Sequence, residues 1–370
     1  MTTLAICRCL YSALALARGW WAARCWLAFC VLWAQGAALA ADATPAVPPH
    51  RLDPATVIKR IQDAADRHSF TGTFVVSAGG AITSLRITHV GDGHNQIDRL
   101  ETLDGQMRQI YRHNDLVHVL WPRSHTASIE HRDLGLGYPA ALQADASARL
   151  DMYELQSGGT DRVAGLDAEV LHLRPRDSHR YAQKLWLERQ SGLLLRTDIL
   201  GQHGELIESA GFSELHWDPK LQPKALLTQM HRLKGYRVER PRLVHTDLER
   251  EGWILRTPVT GFKALQTYRH PPRLSAAVGN AADPVRPASV EAVDLHDGVV
   301  QAVFGDGLTT VSLFVERYDP SRHLRESPAA SHGATQGLAR RQGDWWITAV
   351  GDVPRDTLQQ FATRMERRKP

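Results

Sequence analysis

The stretch from Ser69 to Trp121 constrains the fold more than any other. Five runs of β-forming residues are separated by Gly79-Gly80, Gly91-Asp92-Gly93, Asp104-Gly105 and Asn114-Asp115. Each separator tolerates the positive φ of a tight hairpin turn, so the spacing predicts an antiparallel meander. Period-two alternation puts Phe70, Phe74 and Val76 on one face of the first run. It puts Leu85 and Ile87 on one face of the second, and Val117, Val119 and Trp121 on one face of the last. The opposite faces carry Thr71, Thr73, Arg86, Thr88 and His118. One side is therefore apolar and the other largely wet, although Leu116 and Leu120 break the alternation and imply cover over part of the second face. The ordinary fate of such an apolar face is core, packed under the domain's own helices.

Residues Met1 to Ala40 carry Arg8, Arg18 and Arg24 as their only charges, then an apolar run from Trp26 to Trp33, then Ala38-Leu39-Ala40. This is the pattern of a secretory signal peptide cleaved after Ala40. The run is short for a membrane span, and Phe29 before Cys30 does not suit lipoprotein processing. All four cysteines (Cys7, Cys9, Cys25, Cys30) fall inside this segment. The exported chain is thus expected to hold no disulfide, no thiolate metal site and no cysteine nucleophile. Its net charge drops from +4 by three arginines to +1, and nothing in it calls for nucleic acid. About 330 exported residues suggest two domains.

Beyond the Pro-rich leader, Asp53 is placed to cap a helix with Pro54 in its first turn and an apolar stripe of Val57, Ile58, Ile61, Ala64 and Ala65. That helix is expected on the meander's apolar face. A strand over Thr126 to His131 precedes a helical spacing over Ala140 to Leu155. Strands return from Thr160 to Phe212, with turns at Ser191-Gly192 and Gly201 to Gly204. Asp218 to Gly252 is dense in charge and turn formers and reads as a connection, with a short helix at Lys224 to His231. A second unit follows, with strands around Phe262–Thr267, Val299–Phe304, Thr310–Arg317, Gly337–Arg341 and Trp346–Val350. It ends in a helix near Pro354 whose Leu358, Phe361, Ala362 and Met365 share one side.

No catalytic motif is present: a G-x-S-x-G elbow, a P-loop, G-x-G-x-x-G and H-E-x-x-H are all missing. The 18 histidines include His113 with His118 and His125 with His131. Residues five apart on a strand face opposite ways, and six residues of strand span about 20 Å, so surface histidine is the expectation, not metal binding. Glu205 and Glu208 likewise face apart on a strand, which argues against a carboxylate pair for acid–base work. No enzyme activity, cofactor or metal is expected.

Two sets of segments carry a family resemblance. FTGTFVV, SLRITHVGDG and DRLETLDGQMRQIYRHNDLVHVLWP resemble the start of the RseB/MucB family of periplasmic regulators of the envelope-stress sigma-E pathway. FGDGLTTVSLFVER and GATQGLARRQGDWWITAVGDVPRDTLQQFATRME are similar to its C-terminal part, with a D-G-L turn, an S-x-F strand and V-G-x-V-P before the last helix. Residues 271–288, rich in Pro and Ala, have no obvious counterpart there.

The resemblance implies an α+β fold. An N-terminal open half-barrel of antiparallel strands around helices, like the lipoprotein carriers LolA and LolB, would occupy residues 50–217. A linker would follow at 218–252, and a smaller C-terminal α+β domain that binds an anti-sigma factor at 253–370. It implies a periplasmic negative regulator that holds the periplasmic segment of a membrane anti-sigma factor, protects it from site-1 proteolysis, and releases it on a lipid or lipopolysaccharide signal. A periplasmic lipid or lipoprotein carrier is the alternative, and assembly into homo-oligomers stays open. Phe70, Phe74, Val76, Leu85, Ile87, Val117, Val119 and Trp121 would line an acyl-chain site in the half-barrel. Asp306, Leu308, Ser312 and Phe314, on the D-G-L and S-x-F pattern, are the candidates for partner binding, with turn and core as their alternative role.

Overall fold

The computed structural model describes residues 51–93, 96–131, 150–241, 243–270, 298–323 and 331–368. The leader, most of the helix expected at Ala140 to Leu155, and the 271–288 loop lie outside them. Pro48–Pro370 form one compact unit. The fold is α+β, with two large, almost wholly antiparallel sheets and few helices.

Helix α1, Pro54–Arg67, starts where the cap predicts. Asp53 accepts from the backbone N–H of Ala55 and Thr56, and Val57, Ile58, Ile61, Ala64 and Ala65 are all buried. The meander then runs as β2 (Phe70–Ala78), β3 (Ala81–Gly91), β4 (Gln96–Thr102), β5 (Gln109–His113), β6 (Leu116–Trp121) and β7 (Thr126–His131). Gly79 and Gly80, both at positive φ (55° and 80°), make the first turn.

A second meander is formed by β8 (Tyr153–Val163), β9 (Leu166–Pro175), β10 (Ala182–Glu188), β11 (Leu194–Leu200) and β12 (Leu206–Trp217). Its last strand returns to pair with β2, from Glu208 opposite Ala78 to Trp217 opposite Phe70. With the short β1 (Arg51–Leu52) on β8 and β13 (Arg237–Glu239) parallel to β7, this makes one open sheet of 13 strands. The helical spacing that reached Leu155 is corrected at its end. Leu150–Met152 form a single 3-10 turn and Tyr153 already begins β8, because Tyr153 and Leu155 are drawn into the sheet's core.

The stretch read as a connection is partly structural. Helix α2, Pro223–Met230, lies on the back of the first sheet, where Leu226 packs with Val90 and Ile97, and Met230 with Tyr111, Leu120 and Ala127. This is the cover that the broken alternation at Leu120 required.

The second sheet contains β14 (Val244–Thr246), β16 (Lys263–Arg269), β17 (Val300–Gly305), β18 (Thr310–Arg317), β20 (Trp345–Gly351) and β19 (Gln336–Gln342), in that spatial order. A two-stranded ribbon pairs β15 (Trp253–Leu255) with β21 (Met365–Arg367). Helix α3, Arg355–Arg364, buries Leu358, Phe361 and Ala362 against Val311, Leu313, Val315 and Ile347 of the second sheet. Each large side chain of that set contributes about 1.5–3 kcal/mol of burial.

Candidate functional site

The register places all eight predicted lining residues on one face of the first sheet. Phe74 stands opposite Leu85, and Ile87 opposite both Gly72 and Leu100. The row then continues through Ile110 to Val119. Phe70, Ile87 and Phe74 join the core under α1, while Val117, Val119 and Trp121 form a second cluster with Ile110, and Leu100 packs against both. Phe70, Leu85, Ile87, Val117 and Val119 are at most 4% exposed, whereas Phe74, Val76 and Trp121 are only partly buried. The protein's own side chains therefore fill most of this face, and its accessible part is the rim at Phe74, Val76 and Trp121. A groove of about 760 Å³ lined by His68, Arg162, Asp167, Glu188, Arg189 and Trp217 borders none of the eight.

The same face holds a polar cluster that alternation alone did not single out. His89 Nδ1–H donates to Asp98 Oδ1 (2.5 Å) and its Nε2–H to the Ala65 carbonyl at the end of α1 (2.7 Å). Both ring nitrogens face acceptors, so the ring serves both only as imidazolium. Burial pulls its pKa down, but the charge and hydrogen bond of Asp98 and the Ala65 carbonyl outweigh that and raise it. Arg112 closes the cluster on Asp98 Oδ2 (2.7 Å), and Phe70 stacks on the imidazole at 4.8 Å. The signal was present in sequence: counting on by two from Leu85 and Ile87 lands on His89.

His118, expected on the wet face, is instead 2% exposed and bonds the Met230 carbonyl at 2.9 Å. Burial lowers its pKa. The surface-histidine expectation is corrected at these two positions, because α1 covers one and α2 the other. Among the described residues no group of three His, Cys, Asp or Glu is placed to hold a metal ion.

The partner candidates lie inside. Asp306, Leu308, Ser312 and Phe314 are 0%, 6%, 5% and 0% exposed. Ser312 and Phe314 pack within β18. Asp306 and Leu308 do something different: their turn, between β17 and β18, inserts into the first sheet's core beside Leu150, Tyr153 and Leu155. Asp306 Oδ2 accepts from the Tyr153 hydroxyl (2.8 Å) and Arg180 Nε (2.5 Å), and Oδ1 accepts from the backbone N–H of Leu308 and Thr309 (2.9 Å each).

Arg180 is wholly buried. It also donates to the Asp177 carboxylate and the Thr260 carbonyl, and it lies 4.8 Å from the centre of the Phe262 ring. Gly261 stands at φ 80°, and a side-chain carbon there would also meet the Arg180 guanidinium, so both the backbone and the close approach require glycine. Further along the same seam Thr357 Oγ1 donates to the His179 carbonyl (3.1 Å), and Glu208 of β12 accepts from the Ala334 N–H (3.1 Å). Beside Glu208, Thr335 Oγ1 donates to Asp352 (2.5 Å). Burial, the largest cause, pushes the Glu208 carboxyl up to about 7; the Ala334 N–H opposes this and the charge of Asp352 adds to it. Burial raises Asp352 as well. The carboxylate whose charge acts on Glu208 is Asp352, which follows β20 of the second sheet.

Comparison with known proteins matches both halves. The MucB/RseB N-terminal domain fits residues 53–230 and the MucB/RseB C-terminal domain residues 247–366. The sigma factor AlgU regulatory protein MucB of Pseudomonas aeruginosa is 27% identical over 338 residues, 88% of this chain and 93% of the relative. The sigma-E factor regulatory protein RseB of Haemophilus influenzae is 26% identical over 165 residues, so the chain matches about half (52%) of that relative's length. Among solved structures, MucB in complex with MucA(peri) superposes with a TM-score of 0.60 at 25% identity, covering 86% of this chain and all (100%) of that one. The Pseudomonas aeruginosa MucA/MucB complex gives 0.62 at 24% identity, with the same coverage. With both domains matched in order over most of its length, the chain belongs to the MucB/RseB family.

Proposed function

We propose that this protein is a periplasmic negative regulator of a sigma-E-type factor. It binds the periplasmic segment of a membrane anti-sigma factor, shields that segment from the first proteolytic cut, and releases it on a lipid signal. The observation that carries the reading is the paired match to both family domains, including a MucB relative covered over 93% of its length. A carrier for lipid or lipoprotein needs only the first sheet, so the second sheet speaks for regulation.

In this reading the two sheets divide the work. The rim at Phe74, Val76 and Trp121 is where an acyl chain enters, each buried methylene adding about 0.8 kcal/mol. Asp306 and Leu308 hold the second sheet on the first; Ser312 and Phe314 stiffen the strand behind them. Binding of a labelled periplasmic anti-sigma peptide tests the proposal directly. The full chain should bind it and protect it from the site-1 protease, and a chain ending near Gly252 should not. Phe74→Asp should leave binding intact and abolish release by lipopolysaccharide or fatty acid. Val119 is a poorer target, since at 3% exposure a charge there would unfold the sheet. No binding by the full chain would sink the regulatory reading, and release by lipid from Phe74→Asp would remove the rim from it.

A further inference from the structure

Two carboxyl groups meet at the seam without a counter-charge. Glu208 comes from β12 of the first sheet and Asp352 directly follows β20 of the second, and neither has an ion-pair partner among the described residues. Among the described residues, the neighbouring elements bring no lysine or arginine onto Glu208. The residue before β10 is Tyr181, whose phenol is pushed up to about 12 by burial, by Asp352 and by Glu205 of the β11–β12 turn. The 331–335 segment brings the Ala334 N–H and His332, which lies against Gly79. Asp198 of β11 stands opposite Ser209, one position along, and is taken up by Arg196 at 2.8 Å. No lysine or arginine in this set compensates Glu208.

We propose that this end of the seam is a proton-dependent latch: Glu208 takes up a proton when residues 331–335 and Asp352 close over it, so acid tightens the junction and alkali loosens it. The sign follows from linkage. Closing raises the carboxyl's affinity for protons, from an ordinary 4.5 to about 7, so the closed seam is favoured fully below the lower value. That advantage is lost as pH rises through the upper one. A protein on the outer side of a cytoplasmic membrane meets the pH of the medium, and such a latch would report it. The inference does not depend on the regulatory reading.

Hydrogen exchange of the Ala334 amide, the donor to Glu208, tests it in the intact chain. Its protection factor, referred to an unstructured peptide at each pH, should fall by roughly thirtyfold between pH 5.5 and 8. Leu313, in the middle of β18, should not change over the same range. Glu208→Gln keeps an acceptor for Ala334 but cannot ionise, and should flatten the profile. If that variant does not fold, the wild-type profile still decides, together with the titration of the Glu208 carboxyl followed by carbon-13 NMR. A flat wild-type profile, an equal fall in Glu208→Gln, or a Glu208 carboxyl titrating near 4.5 in the closed seam would each overturn the latch.

Discussion

Asp306 and Glu208 are carboxylates at the same seam, yet their surroundings differ in kind. Asp306 is fully enclosed and receives a guanidinium, a phenol and two backbone N–H groups. Glu208 receives one backbone N–H and faces a second carboxyl. Burial disfavours charge in both, but only at Asp306 does the protein supply the compensating cation and donors. The seam thus has one end clamped by a buried guanidinium and one whose hold depends on a proton.

The sharpest way to break the comparison is to remove the fixed point. Asp306→Ala leaves Arg180 buried beside Asp177 alone and should cost about 3–5 kcal/mol of stability in urea unfolding. Asp306→Asn, which keeps the shape, should cost less. Leu308→Ala, which empties a place in the first sheet's core, should follow at about 2–4 kcal/mol. Losses under about 1 kcal/mol in both would mean that the turn merely rests against the first sheet.

A smaller effect compares two histidines on opposite faces of the first sheet. His89 is raised and His118 lowered. The contribution of His89 is therefore complete below pH 6.5 and is lost as pH rises through its raised value, when one of its two donors disappears. His118 works the other way: its burial as neutral imidazole is favourable above 6.5 and becomes a cost as pH falls toward its lowered value. Stability measured from pH 5 to 9 should show the deficit of His89→Gln largest in acid, and that of His118→Gln largest in alkali. Parallel profiles would break the assignment.

The parts legible in sequence were those fixed by local rules. Helix α1 with its cap, the turns at Gly79-Gly80 and Asn114-Asp115, and the stripe on α3 all depend on neighbours within a few residues. The shared face of Phe74, Leu85 and Val119 followed from alternation alone. The seam was not legible, because Tyr153 and Asp306 are 153 residues apart and Glu208 and Ala334 are 126 apart. Nothing local distinguishes an aspartate that finds a buried arginine from one in an exposed turn. The D-G-L pattern drew attention to Asp306 and Leu308, but only the tertiary fold turned them inward, toward the first sheet.

The least effect, and the one that separates causes at the free edge, is expected from Asp352→Asn. Burial is the largest reason Glu208 is held near 7, and the charge of Asp352 is a lesser one. Removing that charge while keeping the side chain's volume should lower the Glu208 midpoint only part of the way toward 4.5, since burial remains and the Ala334 N–H is unchanged. The Thr335 hydroxyl keeps an acceptor in the asparagine carbonyl, so the seam should stay closed and the carbon-13 titration can be read in the same geometry. A midpoint falling all the way to the ordinary value would mean that repulsion between the two carboxyls, not burial, sets the latch. The seam would then answer to whatever neutralises Asp352 as readily as to pH.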